Sequence, residues 1–364
     1  MDFTFNEEQL FFQQTVTDFL RDNVTAKHIR ERWETATGFD SSTWDALAEL
    51  GATATLIPEE MGGLGLGFDD VVLMIQACGQ AALPEPIIDH SFIAAPLLAQ
   101  IQQHTPSDQV AELLAAMATG ESMVLTAPMI NPYLNFADKA AYLLVQFGDD
   151  VHLINNRDAE FTSLVSVDRS RRLVTAKCRP NGSTCLTNGR LGSDMWQATL
   201  NRGALCNAAQ LLGLAEALVQ QAVKYACDRE QFGKPIGANQ AVKHLLADCA
   251  VNIEFAKPVV YRAAYTVNVA PNRADWAVSH AKVSATAAAQ LAARHCIQVF
   301  GAMGYTWECD VHIWAKRVWA LAQEWGDTGF HKNRIHEWLV QPKALLGPEF
   351  TFGRRNIRDV EQID

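Results

Sequence analysis

The sequence predicts a mostly α-helical protein with a small β insertion: an N-terminal helical domain, a reduced middle β domain and a C-terminal four-helix bundle. Three observations carry this reading. Apolar residues recur at helical spacing to about residue 120, short alternating runs replace them from about 121 to 193, and wide apolar or alanine-rich stripes return past Trp196. A length of 364 residues, against ~150 for a typical domain, fits such a division into 1–120, 121–193 and 194–364.

Taken in order, Asn6 is placed to cap the first helix and Gln9 to complete a capping box, with Leu10, Phe11, Val16, Phe19 and Leu20 at helical spacing behind them. Trp44, Leu47, Ala48 and Leu50 mark another amphipathic helix, and Gly51 is its stop. The glycine-rich run Leu56 to Gly67 reads as a tight structural turn. No strand precedes it, its spacing is not G-x-G-x-x-G, and Glu59 and Glu60 would repel an anion. Ala140 to Phe147, the turn Gly148-Asp149-Asp150 and Val151 to Ile154 predict a hairpin, with Leu164 to Val167 and Leu173 to Ala176 as two further strands. Leu205, Ala208, Ala209, Leu211, Leu212, Leu214, Ala215 and Leu218 form one bundle stripe and Val283 to Ala293 another. The tail from about Pro342, with Arg354-Arg355 and Asp359 to Asp364, is expected to be an arm.

Composition narrows the function. Thirty Lys and Arg against forty-one Asp and Glu leave a formal charge of -11, so general attraction to nucleic acid or an anionic membrane is not expected. The N-terminus lacks a basic stretch followed by an apolar one, and no window approaches ~18 uninterrupted apolar residues, so a cytoplasmic protein is expected. Eight cysteines without a C-x-x-C pair read as reduced, buried thiols. With no H-E-x-x-H pattern, and His331 and His336 on different sides of a helix, no metal site is expected.

Several segments resemble the acyl-CoA dehydrogenase family over most of the chain. Phe5-Asn6-Glu7-Glu8-Gln9 is similar to the family's opening helix start, and Ile57-Pro58-Glu59-Glu60-Met61-Gly62-Gly63-Leu64-Gly65 to its P-E-E-x-G-G-L-G loop. Asp228 to Ile236, followed by Asn239-Gln240 and Leu245-Leu246-Ala247-Asp248, resembles the R-x-Q-F-G-x-x-I…Q…L-A-D block, and Gln298 to Thr306 the Q-x-x-G-G-x-G-Y segment. The resemblance implies FAD-dependent α,β-dehydrogenation of an acyl-CoA thioester, at a flavin site built by two subunits. One subunit holds the isoalloxazine; its neighbour reaches across to the pyrophosphate and adenosine. Arg229, Gln231, Phe232, Gln298, Gly301 and Ala302 match the reaching half. An Arg fork suits a pyrophosphate, an aromatic ring suits a flat cofactor, and small residues permit close backbone approach. Singly, each has a commoner fate: Arg229 a solvated helix-end charge, Phe232 a core residue, Gly301 a turn. As a block at family spacing, they read as cofactor ligands.

The holding half departs from the pattern. The family's L-T-E-P-x-x-G-S-D reads here Leu125-Thr126-Ala127-Pro128-Met129-Ile130-Asn131-Pro132, without the G-S-D element. Proton abstraction beside a thioester needs a carboxylate within hydrogen-bond reach. Gap-free counting from Gly304-Tyr305-Thr306 puts Trp325 where the family's Y-E-G-T has its glutamate, and the alternative base position, about ten residues before Gly213, is Gly203. Glu324 is adjacent, but a one-residue offset turns a side chain by about 100° in a helix. It reads first as a carboxylate paired near Lys316, Arg317 or Lys332, and second as a shifted base. Glu308 and Asp310 read as structural.

Retention of the reaching half, without the holding half or the base, resembles the non-catalytic subunit of bacterial α2β2 acyl-CoA dehydrogenases. Those act on CoA thioesters of bulky steroid or bile-acid side chains. The partner implied is a second dehydrogenase-like subunit that carries the glutamate and binds most of the acyl-CoA. Two alternatives remain open at this point: a self-sufficient homotetramer using Glu324, and a flavin-free scaffold protein.

Overall fold

The computed structural model describes residues 4–341 and 344; the expected arm from Pro342 lies outside them, Ala344 apart. Helices α1 (Glu7–Asn23), α2 (Ala26–Trp33), α3 (Ser41–Glu49), α4 (Phe68–Gln80), α5 (Ile87–Asp89), α6 (Ala95–His104) and α7 (Asp108–Ala118) come first. Strands follow as β1 (Val124–Ala127), β2 (Leu134–Asn135), β3 (Tyr142–Phe147), β4 (Asp150–Asn155), β5 (Glu160–Ser163), β6 (Leu173–Lys177) and β7 (Cys185–Thr187). The chain then returns to helix with α8 (Gly189–Asp228), the small strands β8 (Glu230–Gln231) and β9 (Lys234–Pro235), α9 (Gln240–Val269), α10 (Ala274–Phe300), α11 (Val311–Leu321) and α12 (Thr328–Leu339). This is the helical, β, helical order read from the sequence.

Local chemistry explains the boundaries. Asn6 Oδ1 accepts from Gln9 N and Gln9 Oε1 from Asn6 N, both at 2.8 Å, which closes the expected capping box. Val16 and Leu20 of α1 are buried, while Leu10 and Phe11 face outward, so the apolar stripe is narrower than its sequence pattern. In the Leu56 to Gly67 run, Gly63 sits so close to Ile57 that an added Cβ would lie 2.0 Å from its carbonyl oxygen. Leu64, Gly65 and Leu66 donate back to Ala54, Ile57 and Thr55, so the run is a folded turn, as expected.

Strands β1 to β7 form two sheets, ordered β1-β3-β4-β7 and β2-β6-β5, and β8 pairs with β9 in a separate hairpin. The hairpin β3–β4 is as expected, but Leu164 to Val167 is not a strand. β5 precedes it, and Val165 and Val167 stand exposed, because β5 and β6 pair in a register that ends at Ser163 opposite Val174. Sheet β1-β3-β4-β7 lies between two cores. Leu125, Leu143, Val145 and Ile154 belong to one, which extends into α4, α8, α9 and α10; Val124, Leu144, Val151 and Leu153 belong to the other, with α6 and α7. The cysteines are all unpaired, but burial is not uniform: Cys78, Cys206, Cys249 and Cys296 are buried, Cys178, Cys185 and Cys309 half-buried, and Cys227 exposed. No helix among the described residues is long and apolar enough to cross a membrane.

Candidate functional site

The six residues expected to meet a cofactor gather at one end of the bundle. Arg229 caps α8, and the chain turns back at once through the β8–β9 hairpin, where Ile236 N donates to Arg229 O at 2.8 Å. Glu230 faces Pro235 and Gln231 faces Lys234, leaving Phe232 and Gly233 as a two-residue loop with φ of 56° and 78°. Positive φ at both loop positions marks a type I′ turn, which costs little for Gly233 and more for Phe232. The Phe232 ring is 98% exposed at this tip, so it is not a core residue. Tyr225 of α8 stacks on Phe300 of α10, ring centroids 4.4 Å apart, and this contact brings the C-terminus of α10 beside the hairpin. Gln298 is exposed there, and Gly301, at φ 61° and ψ −138°, adopts a conformation that only glycine takes readily. Ala302 is exposed, and the Arg229 guanidinium has no ion-pair partner among the described residues. A large apolar ring, a free guanidinium and an exposed backbone turn make a surface that fits a flat, anionic group presented from outside this chain.

A second location lies at the junction of the α4–α6 segment, the strands and α8. Gly203 and Arg229 are on the same helix, 26 residues apart, which at 1.5 Å per residue separates them by roughly 39 Å. Here the two positions at which the sequence lacks a carboxylate meet. The Trp325 indole packs on Gly203 so tightly that an added Cβ would lie 2.1 Å from Trp325 Cδ2. Trp325 is 5% exposed and takes φ 55°, a conformation costing on the order of 1–3 kcal/mol that its surroundings must impose. They do so from several sides. Asn131 Oδ1 accepts from Trp325 N at 2.9 Å, His331 Nε2 donates to Trp325 O at 2.8 Å, and Asn207 Nδ2 donates to the carbonyls of Leu321 and Glu324. The buried Lys282 ammonium donates to Leu321 O; burial lowers Lys282 to about 7 and His331 to about 4.

Glu324 is ion-paired, but with Arg171 from the loop between β5 and β6, not with Lys316, Arg317 or Lys332. Arg317 is occupied by Asp168 at 2.6 Å and by Leu83 O. Lys316 lies over the Trp307 ring. Burial lowers Arg171 to about 10, with repulsion from Arg317 adding to it. Asp310 pairs with Arg30 at 2.8 Å, the structural role expected of it.

Trp325, Glu324, Arg171 and Asn131 wall a cleft of about 90 Å³, well below the ~300–1,000 Å³ of small-molecule sites. Two acids missed by the sequence reading also line it. Burial pushes Glu85 up to about 7 against the pull of Arg32, and its Oε1 is buried without a partner among the described residues. Burial also pushes Asp89 up to about 7, against hydrogen bonds from Thr126 N and from Thr126 Oγ1 at 2.7 Å. Nothing in the spacing of Glu85 and Asp89 marks them; only their enclosure does.

Family models described as acyl-CoA dehydrogenase, N-terminal domain and acyl-CoA dehydrogenase, C-terminal domain match residues 6–121 and 191–340. The chain is 30% identical over 319 residues to the acyl-CoA dehydrogenase IpdE2 of Mycobacterium tuberculosis, covering 87% of this chain and 92% of that one. Among solved structures, it resembles a chain of the ChsE4-ChsE5 complex from Mycobacterium tuberculosis with a TM-score of 0.83 at 22% identity, covering 94% and 99% of the two chains. It also resembles the Tcur3481-Tcur3483 steroid ACAD, with a TM-score of 0.79 at 20% identity, covering 91% and 97%. At these identities, the structural likeness speaks for the fold alone.

Proposed function

The chain belongs to the acyl-CoA dehydrogenase family, and we propose that it is the non-catalytic subunit of a heteromeric, FAD-dependent acyl-CoA dehydrogenase of α2β2 form. One observation carries this reading: Trp325 fills the space against Gly203, so the two places where a base would be sought hold an indole and a hydrogen atom. The ion pair of Glu324 with Arg171 supports a structural role for that carboxylate in place of a shifted base. FAD, the cofactor of the family, accepts the β hydrogen of the thioester as hydride when bound.

In this reading, the chain serves its partner's flavin from the bundle end. Arg229 offers a fork of N–H donors to a pyrophosphate, Phe232 offers a ring face, and the Gly301-Ala302 backbone permits close approach beside Gln298 and Gln231. The partner supplies the holding half and the carboxylate, and binds most of the acyl-CoA. The departures of this sequence from the family pattern, which resemble the non-catalytic subunits of α2β2 dehydrogenases, make a bulky steroid or bile-acid side chain the proposed acyl group. The division into 1–120, 121–193 and 194–364, and a cytoplasmic location, are part of the same proposal.

The test is flavin absorbance against protein mass. Expressed alone, the chain is expected to be colourless; purified with its partner, it is expected to form an α2β2 complex with two FAD. A value near one FAD per subunit would mean that this chain holds an isoalloxazine, and turnover by the isolated chain would make Glu324 its base.

A further inference from the structure

On β4, Asp150 and His152 are two residues apart, and β7 places Cys185 directly opposite His152. One ligand atom each of Asp150, His152 and Cys185 lies within 4.8 Å of the other two. None of the three lines the cleft or belongs to the bundle-end surface already described, and the sequence separation of His152 and Cys185 hides them from any local motif.

The state of His152 points to an occupant. The residue is 4% exposed, and its Nδ1 lies 3.0 Å from Thr184 Oγ1. That hydroxyl donates its proton to Asn181 O at 3.0 Å and accepts from Asn181 N at 3.0 Å, so toward the ring it presents its remaining lone pair. With the hydroxyl proton on Asn181 O, the neutral ring carries its hydrogen on Nδ1 and leaves Nε2 as a bare lone pair. Nε2 is buried and has no hydrogen-bond partner among the described residues. An imidazole fixed in this way, with one nitrogen donating to an oxygen and the other unpartnered, is the form in which histidine binds metal. Asp150 is held similarly: Gly189 N, at the start of α8, donates to its Oδ1 at 3.0 Å.

We propose that Asp150, His152 and Cys185 form a binding site for a divalent transition cation, zinc foremost. Thiolate, imidazole and carboxylate are the donor set that zinc takes, and two anionic ligands balance its charge. A tetrahedral zinc spaces its ligand atoms roughly 3.5 Å apart, so small side-chain rotations close the cluster around it, with water as the fourth ligand. Cys185 now donates weakly to Thr187 O, and burial with the neighbouring Asp150 charge raises its thiol; a bound cation removes that proton outright. The ion would tie β7, the edge strand of its sheet, to β4 and to the start of α8.

Cobalt(II) is the probe. Titration of the tag-free full chain, stripped with chelator, is expected to give one equivalent of cobalt with a thiolate-to-metal charge-transfer band that zinc displaces. Cys185→Ser is expected to abolish the band, Thr184→Val to weaken affinity roughly ten- to a hundredfold by releasing the ring, and Cys227→Ser to change nothing. Independently of any variant, zinc is expected to protect Cys185 of the wild-type chain from alkylation, read by mass spectrometry. No thiolate band in the folded wild-type chain, a band that survives Cys185→Ser, or alkylation of Cys185 unaffected by zinc would each overturn the assignment.

Discussion

The contact between Trp325 and Gly203 yields a prediction that a single substitution cannot test but a double-mutant cycle can. With an added Cβ 2.1 Å from the indole, Gly203→Ala overpacks a site with no slack, because the loop around Trp325 is pinned by Asn131, Asn207, His331 and Lys282. Overpacking of this kind costs about 1–3 kcal/mol. Trp325→Ala removes a buried indole and is expected to cost about 3–5 kcal/mol. In the Trp325→Ala background, however, the alanine methyl at position 203 meets empty space, so its cost should vanish or change sign. The cycle should therefore show a coupling of about 1–3 kcal/mol, the range for residues in direct contact. Urea midpoints of the four chains, at a common m-value, measure it. Flavin occupancy of the assembled complex should stay unchanged throughout, because Arg229 lies roughly 39 Å further along α8. Equal costs of Gly203→Ala in both backgrounds would refute the packing of Trp325 on Gly203, and with it the argument that the base position is filled.

Further expectations follow from the other groups. Arg229→Ala in the complex should lower flavin affinity roughly ten- to a hundredfold, from about 1.5–3 kcal/mol for a hydrogen bond to a charged group, with Lys rescuing in part; unchanged flavin content after dilution would exclude the pyrophosphate role. Glu324→Gln should leave turnover within a few-fold, whereas loss of a general base costs ~10²–10⁴; a collapse with flavin still bound would make Glu324 the base. Asp89 has a folded pKa raised to about 7, so between about 4 and 7 the folded state holds a proton that the unfolded state has lost. Stability from this group is full at low pH and falls as pH rises through that window, by at most about 4 kcal/mol. Asp89→Asn should flatten that slope in unfolding measured from pH 4 to 8, and a slope unchanged from wild type would mean that Asp89 titrates normally.

The features legible before folding is considered are those written in near neighbours. The Asn6–Gln9 box, the folded turn at Gly63, the β3–β4 hairpin and the stripes of α8 and α10 each follow from spacing over a few residues, because caps, turns and amphipathic faces are local. So do the members of the bundle-end surface, since all six lie at the C-terminal ends of just two helices. That these ends adjoin, through Tyr225 and Phe300, and that Phe232 stands in solvent follow only from how distant segments pack. The same packing makes Trp325 and Gly203 one site, 122 positions apart, and gives Glu324 to Arg171 in place of the nearer lysines and arginine. Glu85 and Asp89 become unusual acids only by enclosure, and desolvation depends on what the rest of the chain stacks around a group, which no local pattern encodes.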